Sequence, residues 1–369
     1  MDEFQVLVKI AGGRCNLRCP YCYYLPRGNA DRMPSDILEI YIRRHIEASR
    51  DQVIGFSWHG GEPTLYGLDG FREIVSLQKK YCPPGRRVLN GIQTNGTLID
   101  DAWTRFLAEE QFIVGLSLDG PQSYHDCNRR TSAGEPTHSR VLESYARLKE
   151  HGVTTECLCV VHAGNARQPL ELYEFFRELG VSFLTFLPLV ERLPDGSAGE
   201  RSVSGEDWGE FLCAIFDAWQ ERDIGEIKIQ LFEEAARVAF GLGHSLCVLR
   251  ETCGGVPVLD CNGDLYSCDH FMQPEHRLGN IKETSLARML ADPRQRNFGM
   301  DKRRTLPGQC LSCPVLDMCG GGCPKDRILT CADGEPGLNF LCVGFKRFFL
   351  HCRPFVEMLA TLNANRCIY

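Results

Sequence analysis

Nothing in the chain stays apolar for the roughly 18 residues that a membrane-spanning helix needs. The opening segment, residues 4–10, is short and interrupted, and Asp2 and Glu3 carry the wrong charge for a secretion signal. There is no internal repeat and no low-complexity tract. Nor does one sign of charge dominate: 41 basic against 48 acidic residues give −7, which argues against nucleic acid or an anionic membrane as the main partner. What remains, 43% hydrophobic and 24% charged over 369 residues, is an ordinary globular composition with room for two or three domains. A cytoplasmic location is expected.

Cysteine is the exception. Twenty are present, too many for a cytosolic protein in which thiols stay reduced and disulfides are rare, so metal ligation is the expectation. Three stand in the run Arg14-Cys-Asn-Leu-Arg-Cys-Pro-Tyr-Cys-Tyr23, and eleven lie from Cys247 to Cys352. The C-x3-C-x2-C triplet of Cys15, Cys19 and Cys22 can hold three irons of a [4Fe–4S] cube and leave the fourth open to a small molecule.

Residues 4–190 alternate between apolar strands and amphipathic helices. Strands are expected over 4–10, 53–58, 88–93, 112–118, 157–161 and 183–187, with helices over 100–110, 139–151 and 169–179 and another that Ser35 would cap. Six βα units in series predict a parallel sheet curved into an incomplete barrel, an α/β fold whose function gathers at the C-terminal strand ends. The motifs sit there: Gly60-Gly61-Glu62-Pro63, Gln93-Thr94-Asn95-Gly96-Thr97 and Ser117-Leu118-Asp119-Gly120-Pro121. Each is equally a bare turn by itself. Residues 193–204 read as a loop, 208–220 and 230–241 as helices, and 345–362 as a closing helix that Pro354 would kink or break.

The triplet, with an aromatic residue before its third cysteine and Gly60–Pro63 one βα unit later, resembles the radical S-adenosylmethionine (SAM) enzymes. The resemblance implies a partial (β/α)6 barrel in which the open iron binds SAM and one electron releases a 5′-deoxyadenosyl radical. It places the methionine end of SAM against Gly61 and Glu62, the carboxylate and ribose against Ser117 and Arg129, and the adenine between Tyr21 and Val190. Arginine suits a carboxylate because its fork bonds bidentately. Val190 by itself reads as a buried apolar residue.

The C-terminal cysteines, with Gly263 ahead of Cys268, resemble the SPASM extension, which holds two auxiliary [4Fe–4S] clusters. By that likeness Cys247, Cys253, Cys268 and Cys323 hold one, and Cys310, Cys313, Cys319 and Cys342 the other, making three cubes in all. On spacing alone, C-x2-C serves structural zinc equally well. Cys82, Cys127, Cys157, Cys159, Cys213, Cys261, Cys331, Cys352 and Cys367 are left over and read mostly as small apolar residues, although Cys261 and Cys331 sit near the ligands. The expected domains are 1–200 (barrel), 201–246 (helical connection) and 247–369 (SPASM with closing helix).

Cys319-Gly-Gly-Gly-Cys-Pro-Lys-Asp-Arg327, Gly337-Leu-Asn-Phe-Leu-Cys342 and His125-Asp-Cys-Asn-Arg-Arg130 extend the resemblance to the anaerobic sulfatase-maturating enzymes over nearly the whole chain. Those enzymes oxidise a cysteine or serine of a sulfatase to Cα-formylglycine. The likeness makes Asp269 the base that takes the substrate's thiol or hydroxyl proton, with the last electron leaving through an auxiliary cluster. Beside an anionic cluster and away from water, such a carboxyl is expected to have a raised pKa; as a plain turn acid it would be solvated. Implied partners are an unfolded or nascent sulfatase and a donor such as flavodoxin or ferredoxin. The runner-up is a maturase that crosslinks a ribosomal peptide, for instance through a thioether. Many of those carry a leader-binding domain, for which the 14 residues ahead of Cys15 leave no room.

Overall fold

The computed structural model describes residues 4–24 and 31–366, without the side chains of 364–366. They form two compact units, each discontinuous in sequence. The first comprises Met1–Leu118, His125–Glu156 and Gly254–Gly299, the second Asp119–Tyr124, Cys157–Cys253 and Met300–Tyr369.

The first unit opens with β1 (Leu7–Lys9), α1 (Ser35–Ala48), β2 (Val53–His59), α2 (Leu68–Tyr81), β3 (Arg87–Thr94), α3 (Asp101–Glu109) and β4 (Ile113–Ser117). β1 to β4 pair in that order, all parallel. After α4 (Gln122–Asn128) and α5 (His138–Glu150), β5 (Thr155–Val161) leads into the second unit. There α6 (Pro169–Leu179), β6 (Phe183–Pro188), α7 (Gly205–Arg222), β7 (Lys228–Ile229) and α8 (Gln230–Ala239) follow, with β5, β6 and β7 parallel. All six expected βα strands are present. Ser35 does not cap α1: it is the first helical residue, and Pro34, whose ring fixes φ, holds the cap position.

Three short strands complete the first unit's sheet. β8 (Val258–Leu259) lies parallel to β1 on the side away from β2, and β9 (Asp264–Tyr266) and β10 (Arg277–Asn280) extend it antiparallel. At two to four residues each they are too short for an alternating pattern to reveal. The remaining elements are α9 (Leu286–Leu290), α10 (Pro293–Arg304), α11 (Gly308–Leu311), α12 (Leu316–Cys319), the β11–β12 pair (Leu329–Thr330, Pro336–Leu338) and α13 (Cys342–Arg366). α13 runs through Pro354 as one helix. It meets α7 backbone to backbone: a Cβ on Gly344 would stand 2.2 Å from the Gly205 carbonyl oxygen, which fixes where Cys342 begins the helix.

Aromatic side chains fill the first unit's core. Phe71 on α2 is fully buried, with edge or tilted contacts to Trp58, Tyr66, Trp103 and Phe112. Beside it Asn90 accepts from Trp58 Nε1 and Gln78 Nε2 (both 2.8 Å) and donates back to Gln78 Oε1 (2.9 Å), so these buried polar groups are paired. Phe71→Ala should therefore cost about 3–5 kcal/mol. Denaturant titration followed by fluorescence of the adjacent tryptophans measures it, and a loss below about 1 kcal/mol would contradict this packing.

Candidate active site

The chain turns from β1 into the cysteine loop, which is fastened on two sides. Gly61 N–H donates to Gly12 O (2.8 Å) and Glu62 N–H to Arg14 O (2.7 Å). Opposite, Arg18 N–H reaches Arg130 O (2.9 Å) and Ser132 N–H reaches Asn16 O (3.3 Å). A Cβ on Gly61 would lie 2.1 Å from the Arg14 carbonyl oxygen, so only glycine permits the first attachment. The Glu62 carboxylate is fully buried and faces inward. It accepts from Thr64 N–H (3.0 Å) and hydroxyl (2.6 Å), the Thr94 hydroxyl (2.7 Å) and Asn95 N–H (2.7 Å). Burial pushes its pKa up against these donors. The side chain joins the end of β2 to the end of β3, leaving backbone as what Gly61 and Glu62 can present to a ligand.

Cys15, Cys19 and Cys22 are half-buried. Leu17 N–H (3.4 Å) and Asn95 Nδ2 (3.8 Å) point at Cys15 Sγ, and Asn95 is steadied by Asn16 Oδ1 (2.9 Å). Such N–H···S contacts are those that tune a cube. Burial pushes the Cys15 thiol up to about 12, with Glu62, Cys19 and Cys22 adding to it and Leu17 N–H opposing. Iron binding there must therefore displace a proton. Among the described residues no three His, Cys, Asp or Glu converge as a site for a single ion requires. A cube needs no such convergence, because each thiolate takes a separate iron. The donor set fits a cube. Tyr21 and Arg129 come together, the guanidinium 5.5 Å from the ring centroid, and Ser117 Oγ accepts from Gln93 Nε2 (3.3 Å). Val190 lies beyond β6 in the second unit, half-buried rather than in the core.

Asp269 is delivered by the turn after β9, where Phe271 N–H closes on Cys268 O (3.1 Å). It is 8% exposed, so it is not a solvated turn acid. Tyr23 donates to its Oδ2 (2.6 Å), and Lys9 Nζ stands 3.6 Å from the same oxygen. Oδ1 carries longer contacts, 3.9 Å to His270 Nε2 and 3.8 Å to Cys268 Sγ. The direction of the pKa shift is the reverse of the one expected: burial pushes the carboxyl up, but His270, Lys9, Tyr23 and His59 outweigh it and hold it well below the usual range. Lys9 has no exposed surface and sits 4.4 Å from the Tyr24 ring centroid. Its Nζ is 3.2 Å from His59 Nδ1, which also accepts Gly60 N–H (2.9 Å). With Nδ1 accepting a backbone donor, the neutral ring carries its hydrogen on Nε2. Burial, then Lys9, lowers this histidine to about 3, so it stays neutral. Sequence reasoning missed Lys9, Tyr23, His59 and Asn95. The available signal for Lys9 was a charge inside an apolar strand.

The second unit gathers the other cysteines. Cys310, Cys313, Cys319 and Cys342 lie within mutual electrostatic reach, and burial raises Cys319 to about 12 and Cys342 to about 11. Lys302 lies within electrostatic reach of Cys253, Cys323 and Cys247, and its ammonium donates to the carbonyls of Cys247 and Val248 (both 2.8 Å) and Arg250 (2.5 Å). Glu234 accepts the N–H groups of Ser245 (3.0 Å) and Leu246 (3.2 Å) and so sets the segment ahead of Cys247. Cys268 belongs to the first unit. Cys331 is buried in an apolar cluster with Leu306, Cys310 and Leu338, against which Cys342 packs. Cys261 is buried in the first unit and raised to about 12 by burial, then by Asp260. Cys157, Cys159, Cys213 and Cys352 are buried as expected, Cys82 is half-buried and Cys127 exposed; Cys367 lies outside the described residues.

Two family models match the chain: the Radical SAM superfamily over residues 10–176 and an iron-sulfur cluster-binding domain, SPASM, over 253–314. The serine-type anaerobic sulfatase-maturating enzyme of Bacteroides thetaiotaomicron is 40% identical over 96% of this chain and 90% of its own length. The cysteine-type enzyme of Clostridium perfringens is 31% identical over 96% and 97%. A solved structure described as native anSMEcpe with bound AdoMet and Cp18Cys peptide superposes with a TM-score of 0.89 at 31% identity, covering 97% of this chain and 98% of that one.

The fit at Gly61 gives a direct test. Gly61→Ala should displace the cysteine loop and lower iron at the N-terminal cube while the C-terminal cysteines keep theirs. Iron analysis with electron paramagnetic resonance (EPR) reads this, and full retention of the N-terminal signal would refute the close approach.

Proposed function

The chain belongs to the anaerobic sulfatase-maturating enzymes of the Radical SAM superfamily, and from that membership we propose that it oxidises a cysteine or serine of a sulfatase to Cα-formylglycine. The observation that carries the reading is a buried carboxylate, Asp269, gripped by the tyrosine that follows Cys22. When bound, SAM and the [4Fe–4S] clusters supply hydrogen abstraction from the substrate Cβ and uptake of the remaining electron.

The protein's own residues do the rest. Gly61 and the Glu62 hub hold the cysteine loop at the ends of β2 and β3. Tyr21, Ser117 and Arg129, with Val190, are the side chains we assign to SAM, and the guanidinium of Arg129 suits its carboxylate. Tyr23 and Lys9 fix Asp269 through Oδ2, so the proton of the substrate thiol or hydroxyl is taken at Oδ1. A carboxylate held below its usual range is a weak base. It suffices, because loss of a Cβ hydrogen makes the adjoining S–H or O–H far more acidic, and a group already ionised is ready at every turnover.

We assign three cubes: Cys15, Cys19 and Cys22 to the SAM cluster, Cys247, Cys253, Cys268 and Cys323 to one auxiliary cluster, and Cys310, Cys313, Cys319 and Cys342 to the other. In chain order we take 1–200 as barrel, 201–246 as helical connection and 247–369 as SPASM. A flavodoxin or ferredoxin is the proposed electron donor, and an unfolded or nascent sulfatase the proposed substrate. Among the described residues no helix is long and apolar enough to cross a membrane, and ligands that must stay reduced suit the cytoplasm. Likeness over nearly the full chain to sulfatase maturases favours this reading over a thioether-forming peptide maturase.

Anaerobic incubation with SAM, a reductant and peptides of the Cys/Ser-x-Pro-x-Arg type, read by mass spectrometry, should show formylglycine; a crosslink, or no product, would sink the assignment. Asp269→Asn should leave SAM cleavage intact and cut formylglycine yield by at least about 10²-fold, the usual worth of a positioned base. Because the folded pKa lies below the ordinary value of about 3.9, Asp269 stays ionised above it and protonates only as pH falls towards the depressed value. The wild-type rate should therefore show no acid limb from Asp269 between about pH 5 and 8; a limb there that vanishes in D269N would contradict this.

A further inference from the structure

Arg327 follows the Cys319-Gly320-Gly321-Gly322-Cys323 link, which ties a ligand assigned to one auxiliary cluster to a ligand assigned to the other. All three glycines are left-handed, with φ of 57°, 74° and 63°. A Cβ on Gly320 would lie 2.1 Å from Leu249 O, and one on Gly321 would lie 2.2 Å from Leu306 and 2.9 Å from Arg327 Nη2. The guanidinium thus packs directly on the link.

Its other edges are fixed. Nε donates to Gly321 O (3.2 Å), and Nη1 donates to Lys302 O (2.7 Å) and Thr305 Oγ1 (3.1 Å). Nη2 is different: it is buried and has no hydrogen-bond partner among the described residues. A buried, charged donor without an acceptor is costly. Cys310 and Cys319 of one assigned set, and Cys253 and Cys323 of the other, lie within its electrostatic reach. Lys302, the neighbouring buried cation, reaches Cys247, Cys253 and Cys323, and its ammonium is spent on carbonyls.

We propose that Arg327 tunes both auxiliary clusters together: its Nη2 donates to a cluster sulfur, and its charge, placed beside the link, raises both reduction potentials. The inference rests on the assignment of the two cysteine sets to cubes. A cube gains one negative charge on reduction, and hydrogen bonds and charge near its sulfurs set its potential, so a fixed cation favours the reduced state. Because the cation adjoins ligands of both cubes, a single substitution should move both.

The test is an EPR-monitored redox titration of anaerobically reconstituted wild-type protein and Arg327→Gln, with iron analysis of each. At the wild-type midpoint, the oxidised-to-reduced ratio of both auxiliary clusters should rise about tenfold in R327Q, equal to 59 mV for a one-electron couple. Arg327→Lys, which keeps the charge, should recover most of that shift. Wild-type protein with iron for the N-terminal cube alone would overturn the cluster assignment, and the inference with it. Two loaded auxiliary clusters in R327Q, with either potential unchanged, would overturn the inference and leave the assignment standing. If R327Q does not retain iron, wild-type protein carrying ¹⁵N-guanidinium arginine decides the matter. Hyperfine coupling of ¹⁵N to an auxiliary signal supports the proposal, and its absence from both overturns it.

Discussion

Two backbone pairings, Leu7 with Val258 and Val8 with Leu259, hold the first unit's site together. They lay β8 along the free edge of β1, and β1 runs directly into the cysteine loop. Everything that β8 to β10 carry, Cys268 and Asp269 included, is positioned by that ladder. A sheet edge left unpaired would be an aggregation hazard; here it carries the turn that holds Asp269.

Burial of charge organises the same region. Glu62, Asp269 and Lys9 are all removed from water, and they are answered in two ways. Glu62 is satisfied by neutral donors alone and serves as a structural peg. Asp269 and Lys9 answer each other across 3.6 Å, with Tyr23 donating to the carboxylate and His59 accepting from the ammonium. Removing one partner of such a pair leaves an uncompensated buried charge, usually more damaging than removing both. The second unit repeats the device with Lys302, whose ammonium holds the carbonyls beside Cys247.

Much of this was legible in the residues. The six βα strands announce themselves through periodicity, because apolar segments of up to eight residues between amphipathic helices have few other readings. Cys15, Cys19 and Cys22 stand out because their spacing is local to one run of sequence. Asp269 was singled out through family likeness alone, since a lone acid after a cysteine carries no signal, and its depressed pKa depends on His270 beside it and then on Lys9, some 260 positions away. The compact units were hidden for a similar reason: both are discontinuous, and the chain passes between them at five points. Arg327 stood within a run quoted for its cysteines, yet nothing in the run distinguishes an arginine that faces solvent from one lying on the glycines.

The β1–β8 ladder also dictates a timetable. Its two strands are about 250 residues apart, and at about 5–20 residues per second a ribosome would need roughly 10–50 seconds to deliver the second after the first. During that interval one edge of β1 has no strand beside it, while the thiols of the cysteine loop have already been made. Iron delivered early would meet three thiols and no Asp269. Cluster insertion is therefore best suited to the completed chain, and slow synthesis or a late pause would prolong the exposure of both the edge and the thiols.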